Sequence, residues 1–118
     1  MVWVMNITLG MSGEIPVFSL AGRLDSLSSP VLEEQLRPLL ESEEGGARVV
    51  FDCRELSYVS SAGLRVLLMT RRSLGDRGGG VALSGLSSPV HDLLRLAGLD
   101  AILPIAPSVD EAAALLAS

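Results

Sequence analysis

The run ARVVFDC, Ala47–Cys53, constrains this chain most. It is β-branched and aromatic, as strands buried on both faces of a sheet tend to be. Helical patterns flank it on both sides. Upstream, Leu32, Leu36, Leu39 and Leu40 form one apolar stripe, and Glu33, Glu34, Glu41, Glu43 and Glu44 face water. Ser29 before Pro30 predicts the start of that helix, with proline in the first helical position. Pro38 predicts a kink or a weak turn, and Gly45-Gly46 the end. Downstream, a helix is predicted from about Ser61 to Leu74, closed by GDRGGG. A buried strand between two helices implies parallel pairing through right-handed crossovers.

The rest of the chain extends this alternation. Val2–Leu9 sets Trp3, Met5, Ile7 and Leu9 against Val4, Asn6 and Thr8, the period of a half-buried strand. GMSG, Gly10–Gly13, predicts a turn into a second, antiparallel strand, EIPVFSLAG, with Pro16 tolerated near its start. VALSG is a further strand. SSPVHDLLRLAGL predicts a helix with Ser88 as cap, Pro89 first, apolar Val90, Leu93, Leu94 and Ala97, and Gly98 as the stop. DAILPI predicts a short last strand, and Ser108 and Glu111 have capping-box spacing at the head of a final helix. The order is ββαβαβαβα: one α/β domain over residues 1–118, with a mixed, mainly parallel sheet and an antiparallel N-terminal edge strand. No linker or repeat divides it.

Composition narrows the function. At 48% hydrophobic residues a folded globule is expected, yet no apolar run approaches the roughly 20 residues that span a bilayer. The opening MVWVMNITL lacks a basic n-region and is not expected to be a signal peptide. One cysteine, Cys53, allows no internal disulfide and fits a reducing cytoplasm. With His91 as the one histidine, no structural zinc site is expected. A net charge of −5 and 3% aromatic residues argue against nucleic-acid binding. No basic amphipathic segment suggests direct membrane contact.

In parallel sheets, functional loops gather at the carboxyl ends of the strands. Here those loops are GRLDSLSS, CRELSYVSS and GLSSP. If their strands are neighbours, Asp25, Ser60–Ser61 and Ser87–Ser88 approach one another. Such a cluster has no histidine or lysine to activate a serine, and G-x-S-x-G is absent. His91 falls within a helix pattern. GDRGGG lacks the Lys-Ser/Thr of a phosphate-binding loop and is expected to be a surface turn. Catalysis by this chain is therefore not expected, and neither a cofactor nor a metal.

Ser60 and Ser61 remain. One serine caps the helix. A serine at the first helical position points into solvent beside the positive end of the macrodipole, where a phosphate would be favoured. Arg65, four residues on, lies within reach of it. The added charge of about −2 would disturb an apolar partner docked there. Along the same helix, Leu64, Leu67, Leu68 and Leu74 make a core arc. Ala62, Val66 and Met69 make a second stripe, either covered by a neighbouring helix or exposed to a partner.

FDCRELSYVSSAGLRVLL resembles the signature of STAS domains, the family of anti-sigma factor antagonists, and LAGRLDSLSSPVLEEQL resembles that family's Gly-x-Leu-Asp segment. In the signature, a strand ending in Asp leads to a Ser-Ser or Asp-Ser pair, then Gly-Leu and an apolar helix. The resemblance covers the whole chain and implies helices packed mainly on one face. It implies a cytoplasmic partner switch. The unphosphorylated domain binds a serine-kinase anti-sigma factor, a histidine-kinase-like ATPase, and so frees a sigma factor. The kinase then uses ATP to phosphorylate the domain, and a PP2C-type phosphatase reverses this. The acceptor would be Ser61. Ser60 stands where many members have Asp and is the lesser alternative. Asp25, Ala62, Gly63 and Arg65 would surround the phosphosite, and Leu64, Val66 and Met69 would form the partner interface. STAS domains also accompany lipid and anion transporters, so a subunit of such an assembly is the alternative expectation.

Overall fold

The computed structural model describes residues 5–117. The elements run β1 (Asn6–Ser12), β2 (Ile15–Leu24), α1 (Ser29–Leu40), β3 (Arg48–Val59), α2 (Ser61–Gly75), β4 (Gly80–Ser84), α3 (Ser88–Leu96), a 3₁₀ turn (Leu99–Ala101), β5 (Ile105–Ala106) and α4 (Val109–Ala117). The strands are ordered β1-β2-β3-β4-β5; β1 and β2 are antiparallel and every other neighbouring pair is parallel. This is the expected α/β order.

When each parallel strand is added beside its predecessor, right-handed crossovers all fall on one face. Accordingly Leu32 and Leu36 of α1, Val66, Leu67 and Leu74 of α2, and Val90 and Leu94 of α3 share one core with Phe18, Val49 and Phe51. The Phe18 and Phe51 rings lie 6.0 Å apart, tilted by 58°. On the other face, Ala112 and Ala113 of α4 pack on Val17, Val50, Ala82 and Ala106. The alternation of Val49, Val50 and Phe51 between two cores explains why the strand is apolar throughout.

Several boundaries differ from the sequence reading. The first two strands meet at the two-residue loop Gly13–Glu14, with Gly13 at φ +60, so Gly10, Met11 and Ser12 belong to β1. The Val2–Val4 part of the expected strand lies outside the described residues. β3 continues through RELSYV to Val59, where a loop was expected. Pairing with β2, through two register irregularities, holds it extended. DAILPI forms a 3₁₀ turn and a strand of only two residues.

The Ser-Pro helices begin one residue early, with Ser28 and Ser87 at the cap and proline second. Ser87 Oγ accepts from the N–H of Val90 at 3.4 Å. Pro38 is accommodated in the last turn of α1, which runs on to Leu40. Arg77 holds that end by donating to the carbonyls of Leu39, Leu40 and Ser42. These are carbonyls a helix terminus leaves without partners. GDRGGG is a turn for a steric reason: a Cβ on Gly79 would lie 1.8 Å from the Ala47 carbonyl oxygen.

Candidate functional site

β2 and β3 end side by side, with Leu24 opposite Val59. Immediately beyond, the Ser60 N–H donates to the Leu24 carbonyl at 2.8 Å. Ser60 is extended (φ −86, ψ 176) and its Oγ accepts from the Gly63 N–H at 3.4 Å. It is the N-cap of α2. The first helical bond runs from Leu64 N–H to Ser60 carbonyl at 2.9 Å.

Ser61 is the first residue of α2, and its side chain is exposed. No group among the described residues hydrogen-bonds its hydroxyl. The N–H groups of Ser61 and Ala62 have no acceptor within the helix, which leaves partial positive charge at this end. Arg65 is exposed one turn on, without an ion pair among the described residues. Gly63 is where α2 rests on the seam of the two strands. A Cβ there would meet the Leu24 oxygen at 2.7 Å, Leu24 Cγ at 2.8 Å and Val59 Cγ1 at 2.9 Å.

Asp25 follows Leu24 directly, so the Ser60–Leu24 bond sets its loop beside the start of α2. Its Oδ1 accepts from the N–H groups of Leu27 and Ser28, both at 3.1 Å, and from Ser28 Oγ at 3.2 Å. Ser28 Oγ also reaches the Arg23 carbonyl at 2.6 Å. The Ser28 N–H, followed by smaller contributions that include Leu27 and Arg23, holds the Asp25 carboxyl below its ordinary value. Asp25 is thus an ionised clasp for the β2–α1 loop. Arg23 lies 3.9 Å from Asp25 Oδ2 and places its guanidinium 4.3 Å from the centre of the Tyr58 ring.

Ser87 and Ser88 are not part of this cluster. β4 stops at Ser84, level with Asp52, whereas β3 runs seven residues further before reaching Ser60. At about 3.3 Å per residue, Ser87, three residues past Ser84, falls well short of that level. Asp52 likewise lies within β3 and not at its end. It is buried, paired with Arg54 Nη2 at 3.0 Å, and accepts from Ser19 Oγ at 3.4 Å. His91 is in α3, and no group of three or more His, Cys, Asp or Glu among the described residues is placed to hold a metal ion.

The exposure expected for Val66 is corrected. Val66 is 2% exposed and belongs to the core. The buried face of α2 runs through Gly63, Val66, Leu67, Thr70 and Leu74. Thr70 is admitted because its Oγ1 donates to the Val66 carbonyl at 2.7 Å. A small residue and a polar one on that face drew the expected arc too far round the helix. Ser61, Arg65 and Arg72 occupy the solvent side, with Leu64 and Leu68 half-buried on one flank and Ala62 and Met69 on the other. Two apolar residues were missed: Leu27, in the turn before α1, is 79% exposed, and Val31, in the first turn of α1, is 45% exposed. A leucine inside the polar stretch DSLSSP was the available signal.

Comparison with known proteins identifies the family and the fold. Residues 7–104 match the family model described as "Mlab, STAS domain". The anti-sigma-B factor antagonist of Bacillus subtilis is 36% identical, over 74% of this chain and 77% of that protein. The crystal structure of an anti-sigma factor antagonist from Mycobacterium paratuberculosis superposes with a TM-score of 0.83 at 22% identity, covering 97% of this chain and 95% of the other. The Bacillus cell fate determinant SpoIIAA in its phosphorylated form gives 0.69 at 19% identity, covering 93% and 98%.

Proposed function

The chain belongs to the STAS domain family, and from that premise we propose that it is an anti-sigma factor antagonist switched by phosphorylation of Ser61. The observation that carries this reading is the division of labour between the two serines. Ser60 is spent on capping α2, and Ser61 is left exposed and unbonded at the first helical position. The shared fold of SpoIIAA, which exists in a phosphorylated form, and the name of the Bacillus subtilis relative support it.

The unphosphorylated domain binds a serine-kinase anti-sigma factor through the end of the sheet that carries Ser61, the Leu27–Val31 ridge and the flanks of α2. The Ser61 hydroxyl attacks the γ-phosphorus of ATP held by the kinase. The β–γ bridging bond breaks, ADP leaves, and the hydroxyl proton passes to a base on the kinase. The phosphate is held by the free N–H groups of α2 and by Arg65. Its charge of about −2 repels the docked partner and ends the complex. A PP2C-type phosphatase restores the hydroxyl. This chain contributes no catalytic group, and it works in the cytoplasm, where its partners are.

Incubating the protein with its cognate kinase and ATP, then mapping phosphate by mass spectrometry, tests the reading. Phosphate is expected on Ser61. Its absence from both serines would sink the proposal. Ser61→Ala should bind the kinase constitutively, and Ser61→Asp should bind it more weakly.

A further inference from the structure

Among the described residues, no strand pairs with the outer edge of the sheet. β1 stands at the end of the strand order and, among the described residues, pairs with β2 alone. Soluble proteins ordinarily guard such an edge with a charge, a proline or a bulge. The sequence of β1, NITLGMS, has no charged residue and no proline, and its register against β2 is unbroken. Leu9 and Met11 are 60% and 63% exposed. At the opposite edge, β5 is only two residues long and offers little to pair with.

The phase of the strand is also defined. A two-residue hairpin loop is flanked by a hydrogen-bonded pair, here Ser12 and Ile15, and bonding alternates from there. Asn6, Thr8, Gly10 and Ser12 therefore turn their backbone groups toward β2. Ile7, Leu9 and Met11 turn theirs outward. Ile7 and Leu9 lie opposite Leu20 and Phe18, so these three side chains stand on the face that carries α1–α3.

We propose that β1 is a self-association edge that pairs antiparallel with β1 of a second copy about a two-fold axis at Leu9. This register uses all of Asn6–Ser12 and sets Leu9 against its own copy and Ile7 against Met11. All the outward N–H and C=O groups then fall in hydrogen-bonded pairs. On the other face Thr8 meets Gly10 and Asn6 meets Ser12. Apolar side chains thus meet apolar ones and polar meet polar, as an isologous contact requires. A second copy is the occupant because the pattern is complementary to itself: β1 carries no charge of its own, and the carboxylate held on it, Asp110 of α4 on Ser12 Oγ at 2.8 Å, falls beside Asn6 of the other copy and not beside its own equivalent. The contact is small, so the dimer is weak and dilutes apart.

Sedimentation of the whole chain over a concentration series tests this. The mass should rise from 12.4 kDa toward twice that value between about 10 μM and 1 mM. Under mild oxidation Leu9→Cys should form a disulfide-linked dimer, since directly opposed residues in a hydrogen-bonded pair lie about 5.5 Å apart at Cα. Thr8→Cys, which faces Gly10, should not. Cys53 is buried and does not contribute. Leu9→Lys should remain monomeric with unchanged thermal unfolding; if it fails to fold, Met11→Lys serves instead. A monomer at 1 mM overturns the proposal, as would be the case if the edge accepted only a peptide from another protein. A dimer left intact by the lysine variant, or cross-linked by Thr8→Cys and not by Leu9→Cys, overturns it equally.

Discussion

The backbone N–H of Ser60 donates to the carbonyl oxygen of Leu24 at 2.8 Å, just past the last register pair of the two strands. This one bond joins the two loops that make the site. It lets β3 end, turns the chain into α2, and holds the Asp25 clasp beside the helix start. The two serines that follow consequently differ in surroundings, although the sequence presents them as a pair.

That difference separates two substitutions. Ser60→Ala removes the cap and should lower stability by about 0.5–1 kcal/mol in urea unfolding, the low end for caps because the bond is long. It should leave phosphate transfer to Ser61 intact. Ser61→Ala should change stability by less than about 0.5 kcal/mol and abolish transfer. Transfer that survives Ser61→Ala but not Ser60→Ala would reverse the assignment.

Gly63→Ala sets two effects of opposite sign against each other. Replacing a helical glycine by alanine normally stabilises by up to about 1 kcal/mol. Here the new Cβ would meet three atoms closer than 3.0 Å, one of them a backbone oxygen. Overpacking of this kind costs about 1–3 kcal/mol, and the clash should win. Chemical denaturation should show a net loss; a gain would mean that α2 can lift off the strand seam freely.

The strand–helix alternation was legible because β3 sits between two cores and its apolar run has no period to confuse. The Ser-Pro helix starts were legible to within one residue. The tail of β3 was not: RELSYV mixes charged, polar and aromatic residues. It stays extended because β2 pairs with it through register shifts that no local pattern announces. The buried face of α2 was misplaced by Gly63 and Thr70, whose burial depends on a close approach and on a bond back to the helix. The clustering of Asp25 with the serines followed from strand adjacency, and the exclusion of Ser87 from unequal strand lengths.

Near Ser61, Leu27 at the surface and Val66 in the core should part company. Leu27→Glu should fold as the parent does and weaken binding to the kinase by about tenfold or more in calorimetry, if this exposed leucine anchors the partner. Val66→Glu should fail to fold, since it would bury a charge. Unchanged affinity for Leu27→Glu would move the interface elsewhere.

Cys53 should be inert. Burial, with the neighbouring Asp52 charge adding to it, pushes its thiol up to about 12. At pH 8 the folded protein should resist a thiol-specific reagent, and labelling should appear only with unfolding. Rapid labelling of the native protein would contradict the packing of β3.

Asp25 gives the pH dependence a definite sign. Its carboxyl lies below the ordinary value of 3.8 because the Ser28 and Leu27 N–H groups bond the ionised form. A carboxyl depressed in the folded state stabilises the protein fully above its unfolded value, and that contribution is lost as pH falls through the folded one. The loop clasp should therefore persist at pH 5 and release only below about 3.8. A titration followed by NMR should place the Asp25 midpoint under that value. Asp25→Asn should lower stability near neutrality and flatten the acid limb, so that the two proteins converge once Asp25 is protonated. Asn cannot offer the same charged acceptor, so the Leu27 and Ser28 amides should exchange with solvent faster in the variant at every pH above that limb. Equal exchange rates in the two proteins would show that the loop is held by Ser28 Oγ and the Arg23 carbonyl instead.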